Sequence, residues 1–254
     1  MFHPSGRSTR RSLPTISVRE VFNRGTLSFL KKSRSKSRMT DDTRTREYYA
    51  RLFREHGRDV KALGWSSRES QEVRFRQFLR FLDLKDKVVL DVGCGFGDMF
   101  GFLDRNGCGI ASYIGVDFSE HSIEDARKTY FGHSRARFLL GRFEEIESSE
   151  IGAVDYVLVS GAFAWESVSK EEHTRIVQRI LRRAWAASRR GIAFNMMNEY
   201  GISRHRESER FDCSRNNYDP AHWLRFVMEE FTARVQFVSD YHDLDYTIVA
   251  HRAD

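Results

Sequence analysis

Hydrophobic positions change their period along the chain, and each change marks a different kind of element. From Tyr48 to His56, residues Tyr49, Leu52 and Phe53 recur at helical spacing. Gly57 and Gly64 interrupt, and Ser67–Leu84 then predicts a second helix. Its broad apolar stripe is Val73, Phe75, Phe78, Leu79, Phe81 and Leu82. Beyond it, short apolar runs closed by turn residues predict buried strands at Lys87–Asp91, Tyr113–Asp117, Arg137–Leu140, Tyr156–Val159 and Gly191–Asn195. Helical segments Asp98–Asn106, Ser119–Tyr130 and Glu171–Ser188 lie between most of these strands, with Ser119 a natural N-cap. Strand and helix in alternation predict a parallel sheet covered by helices on both faces. Pro220–Phe231 predicts one more helix, with proline in its first turn. Two last strands follow, Val235–Tyr241 and Tyr246–His251, and their short joint around Asp243 makes them an antiparallel pair.

Charge changes this picture at one end only. Residues 1–38 hold ten Lys or Arg against the single acid Glu20, whereas the remaining 216 residues carry a net −3 out of an overall +6. Any argument from basicity toward nucleic acid or an anionic surface therefore belongs to the extension, not to the body. The extension is rich in Ser, Thr, Arg and Lys with little apolar periodicity, a composition expected to stay disordered. A targeting segment, a nucleic-acid arm, a membrane-surface segment and a non-functional extension all fit it, and Met39 is a second candidate start. The expected division is 1–38 as extension and 39–254 as one α/β domain. No apolar run approaches the roughly 18 residues of a membrane span. The cysteines Cys94, Cys108 and Cys213 form neither a metal-type pair nor a disulfide framework, which favours a reducing, cytoplasmic setting.

The segment with the most chemical content is Asp91-Val-Gly93-Cys-Gly95-Phe-Gly97-Asp98, placed after a strand and before a helix. Glycines there permit a sharp turn and close approach of a ligand to the backbone. The open N–H groups of the following helix add positive potential. The spacing is G-x-G-x-G, not the G-x-G-x-x-G of a pyrophosphate site, which points to a nucleoside carrying an amino acid over a dinucleotide. Asp117 ends the next strand, 26 residues after Asp91. A carboxylate at that place suits both hydroxyls of a ribose, and a plain helix-entry acid is the alternative. Phe118 is placed to lie against an adenine.

Val88–Phe102 resembles motif I of the class I S-adenosylmethionine-dependent methyltransferases, of the small bacterial type. Tyr113–Ser119 resembles their acidic second motif. Gly141-Arg142-Phe143 resembles the adenine-edge motif, and Asp155–Gly161, which includes Ser160, the fourth-strand motif beside the methyl group. The resemblance covers about residues 44–252. It implies a three-layer Rossmann-like fold: a seven-stranded sheet of order 3-2-1-4-5-7-6, the seventh strand antiparallel, preceded by N-terminal helices. It implies S-adenosylmethionine as cofactor, held by Asp91, Gly93, Gly95, Gly97, Asp117, Phe118, Arg142, Phe143 and Ser160. One departure is Arg142, where many members carry an aspartate that reads the adenine amino group; a guanidinium cannot accept a hydrogen bond, so backbone groups of Arg142 and Phe143 must serve. The stretch from Gly64 to Arg74 resembles a cofactor-covering helix, on which Arg74 is either a partner for the methionine carboxylate or a surface arginine.

The methyl acceptor should lie at the carboxyl ends of the fourth and fifth strands, near Ser160–Glu166 and Asn195–Asn198, with Glu199–Asp219 as a polar lid. Tyr218, His222 and Glu166 are conceivable proton acceptors there, each with an ordinary structural reading beside it. An Asp/Asn-Pro-Pro-aromatic run and a Pro-Cys nucleophile are both missing from the sequence, which argues against the amino and cytosine-carbon methyltransferases of nucleic acids. A small-molecule acceptor is favoured, because no added domain is present and aromatic residues Phe194, Tyr200, Phe211, Tyr218, Trp223 and Phe226 could wall a compact pocket, with ordinary core positions the alternative, above all for Phe194 and Phe226. RNA or protein methylation, a non-catalytic binding module and an NAD-linked enzyme are the other classes. No metal ligands are expected, and oligomeric state is not legible.

Overall fold

The computed structural model describes residues 41–164, 168–205 and 216–253. The basic extension, Trp165, Glu166 and residues 206–215 of the expected lid, Phe211 and Cys213 among them, fall outside that set.

Residues Asp41–His56 form helix α1, followed by a single 3₁₀ turn at Val60–Leu63 and helix α2 at Arg68–Phe81. Then come strand β1 (Val88–Val92), α3 (Asp98–Arg105), β2 (Ser112–Asp117), α4 (Glu120–Thr129) and β3 (Ala136–Leu140). The chain continues through α5 (Ser148–Ile151), β4 (Val154–Val159), α6 (Lys170–Ala187), β5 (Ser188–Met197) and α7 (Glu199–His205). It ends with α8 (Pro220–Glu230), β6 (Val235–Val238) and β7 (Asp245–His251). The sheet order is β3-β2-β1-β4-β5-β7-β6, as expected. Strands β1 to β5 pair in parallel, and β7 runs antiparallel to both β5 and β6.

Both sheet faces are buried, so successive strand residues alternate between two cores. Leu90, Ile114, Val157, Ile192 and Ile248 pack under α6 and α8 with Val177, Leu181 and Phe226. Val89, Tyr113, Leu158, Ala193 and Val249 pack on the other side with Phe78, Phe100 and Ile123. The helices begin where the sequence supplies caps. Ser67 accepts from Ser70 N at 3.1 Å, Ser119 from Ser122 N at 3.3 Å and Asp219 from Ala221 N at 2.9 Å.

Three differences from the periodicity have physical causes. Helix α1 starts before Tyr48 because residues 43–47, Thr-Arg-Thr-Arg-Glu, contain no apolar position to announce it. Strand β5 extends to Met197 because β7 continues beside it, pairing Met196 with Tyr246 and Met197 with Asp245. The strand expected over Val235–Tyr241 stops at Val238, where its pairing with β7 ends at Thr247.

Close β5–β7 pairing also explains a glycine. A Cβ on Gly191 would overlap the Ala250 carbonyl and stand 3.2 Å from His251 Cα. Gly191→Ala should therefore cost about 3 kcal/mol by forcing the two strands apart. A urea midpoint unchanged from wild type would show that the ladder yields at no cost.

Candidate active site

Strand β1 delivers the chain into a loop of left-handed glycines. Gly93 has φ 78° and Gly95 φ 52°. A side chain at Gly93 would meet Ala162 Cβ at 2.7 Å, and one at Gly95 would meet Leu63 Cδ1 at 2.7 Å. The loop is thus sandwiched between the segment after β4 and the 3₁₀ turn, with no room for anything larger. Gly97, also left-handed, precedes α3 as its N-cap. Asp117, ending β2, ties the loop to its neighbour: its Oδ2 accepts from Gly95 N at 2.9 Å and its Oδ1 from Ser119 N at 2.8 Å.

Above this loop lies a chamber of about 180 Å³ that brings together Asp91, Gly93, Gly95, Asp117, Phe118, Arg142, Phe143 and Ser160. Three buried polar atoms facing this region have no hydrogen-bond partner: Gln71 Oε1, Asp91 Oδ1 and Ser160 Oγ. Such orphaned groups are costly unless a ligand completes them. The other oxygen of Asp91 accepts from the Tyr113 hydroxyl. Burial pushes the Asp91 carboxyl up to about 7; the Tyr113 hydroxyl opposes this, and the nearby Asp117 and Asp98 charges add to it. Burial also raises Asp117, against the two backbone donors and Arg46. Phe118 is flanked by the edge of Tyr49 and by the Arg46 guanidinium, 5.4 Å from its ring centre. The Arg183 guanidinium stands 5.0 Å from the Phe143 ring centre. The Arg142 carbonyl is already spent, accepting from Glu145 N and Ile146 N.

A second, larger chamber of about 360 Å³ adjoins the first. Tyr49, Leu63, Trp65 and Gly161 line both, so the two share a partition. The rest of its lining includes the ends of β5 and β7 and Tyr48, Phe163 and Tyr218. Tyr218 has little freedom as a proton acceptor, because its hydroxyl donates to the Phe163 carbonyl and meets His173 Nε2 at 2.6 Å. Burial lowers the pKa of His173.

Arg74 differs from the sequence reading in its placement. It lines the second chamber, away from the glycine loop. Its guanidinium pairs with Asp245 and Ser70 and lies 4.9 Å from the Trp65 ring centre, while Nε has no partner. Helix α2 turns Arg74 toward β7, and Gln71, one turn earlier, toward the glycine loop. Gln71 is a polar residue on the buried face of that helix, and that pattern is the signal by which the sequence could have marked it. The contributions of Thr45 and Tyr49 from α1 carried no comparable signal. Among the described residues no group of three His, Cys, Asp or Glu is placed to hold a metal, and no helix is long and apolar enough to cross a membrane.

The sheet order is that of the Rossmann-like methyltransferase fold, and the matches that follow support an S-adenosylmethionine-dependent methyltransferase. Residues 89–184, from β1 into α6, match the family model of a methyltransferase domain. The chain is 26% identical over 177 residues to the Mycobacterium tuberculosis protein named "Putative methyltransferase Rv1506c", covering 69% of this chain and 99% of that one. Among solved structures it resembles magnesium protoporphyrin IX methyltransferase from Synechocystis with bound cofactor, at 15% identity and a TM-score of 0.58, over 86% of this chain and all of that one. It also resembles the pyocyanin biosynthetic protein PhzM, at 18% identity and a TM-score of 0.60, over 81% of this chain and 62% of that one. At these identities the structural likenesses speak for the fold.

Proposed function

We propose that the first chamber holds S-adenosylmethionine and the second a small-molecule acceptor, with the methyl group passing through the partition at Gly161. One observation carries this reading: two chambers meet at a shared wall, and only the one over the glycine loop is lined by buried oxygens without partners.

The residues suit the cofactor along its length. Asp117, whose two oxygens each keep a lone pair, takes the ribose hydroxyls. Phe118 and Phe143 flank the adenine, and the backbone at Phe143 reads its edge, the Arg142 carbonyl being spent on Glu145 N and Ile146 N. Asp91 Oδ1 and Gln71 Oε1 receive the amino group of the methionine end, and Ser160 Oγ lies toward the methyl end. The backbone of Gly93 and Gly95 cradles the rest, while Gly97, outside the chamber's lining, turns the chain into α3. Arg74, committed to Asp245, belongs to the wall of the acceptor chamber instead.

When bound, S-adenosylmethionine supplies a methyl already activated on a sulfonium. The protein's part is then to align the acceptor in line and keep water out, and orientation of this kind supplies many orders of rate. A chamber of about 360 Å³ fits a small molecule better than a nucleic-acid or protein chain. The scattered cysteines are consistent with a cytoplasmic setting.

Calorimetric titration with S-adenosylhomocysteine tests the first assignment. Wild type should bind with a Kd of about micromolar order, and Asp117→Ala should weaken binding by about 50-fold or more, since two charge-assisted hydrogen bonds are lost. Equal affinity in the two proteins would remove Asp117 from the cofactor site.

A further inference from the structure

We infer that Asn195 is the residue that selects and orients the acceptor, and that the acceptor is a planar aromatic molecule presenting an oxygen. The inference rests on the two-chamber reading and adds the chemistry of its second chamber.

Asn195 lies at the end of β5, 3% exposed, and lines the second chamber. Gly161 N donates to its Oδ1 at 3.2 Å. That bond fixes which end of the amide is which, because only the oxygen can accept from a backbone N–H. The Nδ2 end is left with two donors and no acceptor among the described residues. Gly161 belongs to the partition, so these donors sit at the border with the cofactor chamber, where an acceptor's reacting atom has to be. An amide N–H pair there recognises a lone-pair oxygen: a hydroxyl, phenolate or carbonyl.

The rest of the lining sets the shape. Tyr48, Tyr49, Trp65, Phe163 and Tyr218 are among its lining residues, and aromatic rings prefer to meet other rings edge-on or offset. Arg74 and Asp245 neutralise each other, so this pair adds no uncompensated charge to a lining that also holds Lys61. Methyl transfer to the bound oxygen forms a C–O bond from one of its lone pairs. It breaks the C–S bond with the pair left on sulfur, the hydroxyl proton having passed to bulk water before the acceptor enters the chamber.

The test uses the full chain saturated with S-adenosylhomocysteine and titrated with 2-naphthol and with its isostere 2-naphthylamine, whose nitrogen is the poorer acceptor. Wild type should bind the naphthol about tenfold more tightly. Asn195→Asp keeps an oxygen for Gly161 N but replaces the donors with an acceptor. It should erase the preference while leaving S-adenosylhomocysteine affinity unchanged. Asn195→Ala, which buries no charge, should erase it too and serves if the aspartate variant does not fold. A preference that survives either substitution overturns the inference, and so does a saturated wild type that binds neither probe or binds them equally. Failure of S-adenosylhomocysteine to bind at all strikes the two-chamber reading instead.

Discussion

Asp91→Asn should abolish tight cofactor binding and at the same time stabilise the ligand-free protein at alkaline pH. The Asp91 carboxyl is fully enclosed and pushed up to about 7, against a value of about 3.9 in an unfolded chain. A raised carboxyl pKa means that the folded protein holds the proton more tightly than the unfolded one. Its favourable contribution is complete below the unfolded pKa and is lost as pH rises through about 7. Asparagine does not ionise, and its oxygen can still accept from Tyr113. The variant's advantage in urea melts should therefore grow by about 2 kcal/mol between about pH 5 and pH 8. The proposed ammonium of the methionine end would lose its counter-charge, which should weaken S-adenosylmethionine binding by about 100-fold. A pH-independent change in stability would mean that Asp91 is not held protonated by burial. Retained affinity would mean that it does not face the cofactor.

The second large effect concerns the acceptor chamber. Arg74→Ala should destabilise the protein by about 3–5 kcal/mol, because it strands the Asp245 carboxylate in a site where it is 4% exposed. The paired replacement Arg74→Met with Asp245→Leu should recover most of that loss, since it removes both charges and refills the volume. Thermal melts of the two singles and the double give the coupling directly. Additive losses in the double would show that the pair contributes by packing against Trp65, not by charge.

Much of the architecture could be read before the structure was seen, for identifiable reasons. Strands β1, β2 and β4 are short apolar runs because both sheet faces are covered, and such runs stand out against amphipathic helices. The antiparallel finish followed from the brief joint around Asp243. The glycine loop and Asp117 declared themselves because their backbone geometry restricts residue choice locally. Other features depend on distant packing and leave little local trace. Leu63, which closes over Gly95, sits on a one-turn 3₁₀ element too short for a periodic signal. Arg74 could be read as a cofactor partner or as a surface arginine, and its pairing with Asp245, 171 residues away, leaves no local trace. Asn195 was visible only as part of a segment, because its role depends on a bond to Gly161 on the neighbouring strand's exit.

The partition also bears on how such an enzyme can diverge. At Gly161 a Cβ would stand 2.9 Å from Trp65 Cη2, so any larger residue pushes the indole into one chamber or the other. On the two-chamber proposal, the partition is therefore frozen by the requirement to hold one methyl donor. Tyr48, Met197 and Leu244, which line the second chamber and not the first, have no such obligation. Drift in substrate range should accumulate there, letting a lineage exchange one acceptor for another without renegotiating its hold on the cofactor.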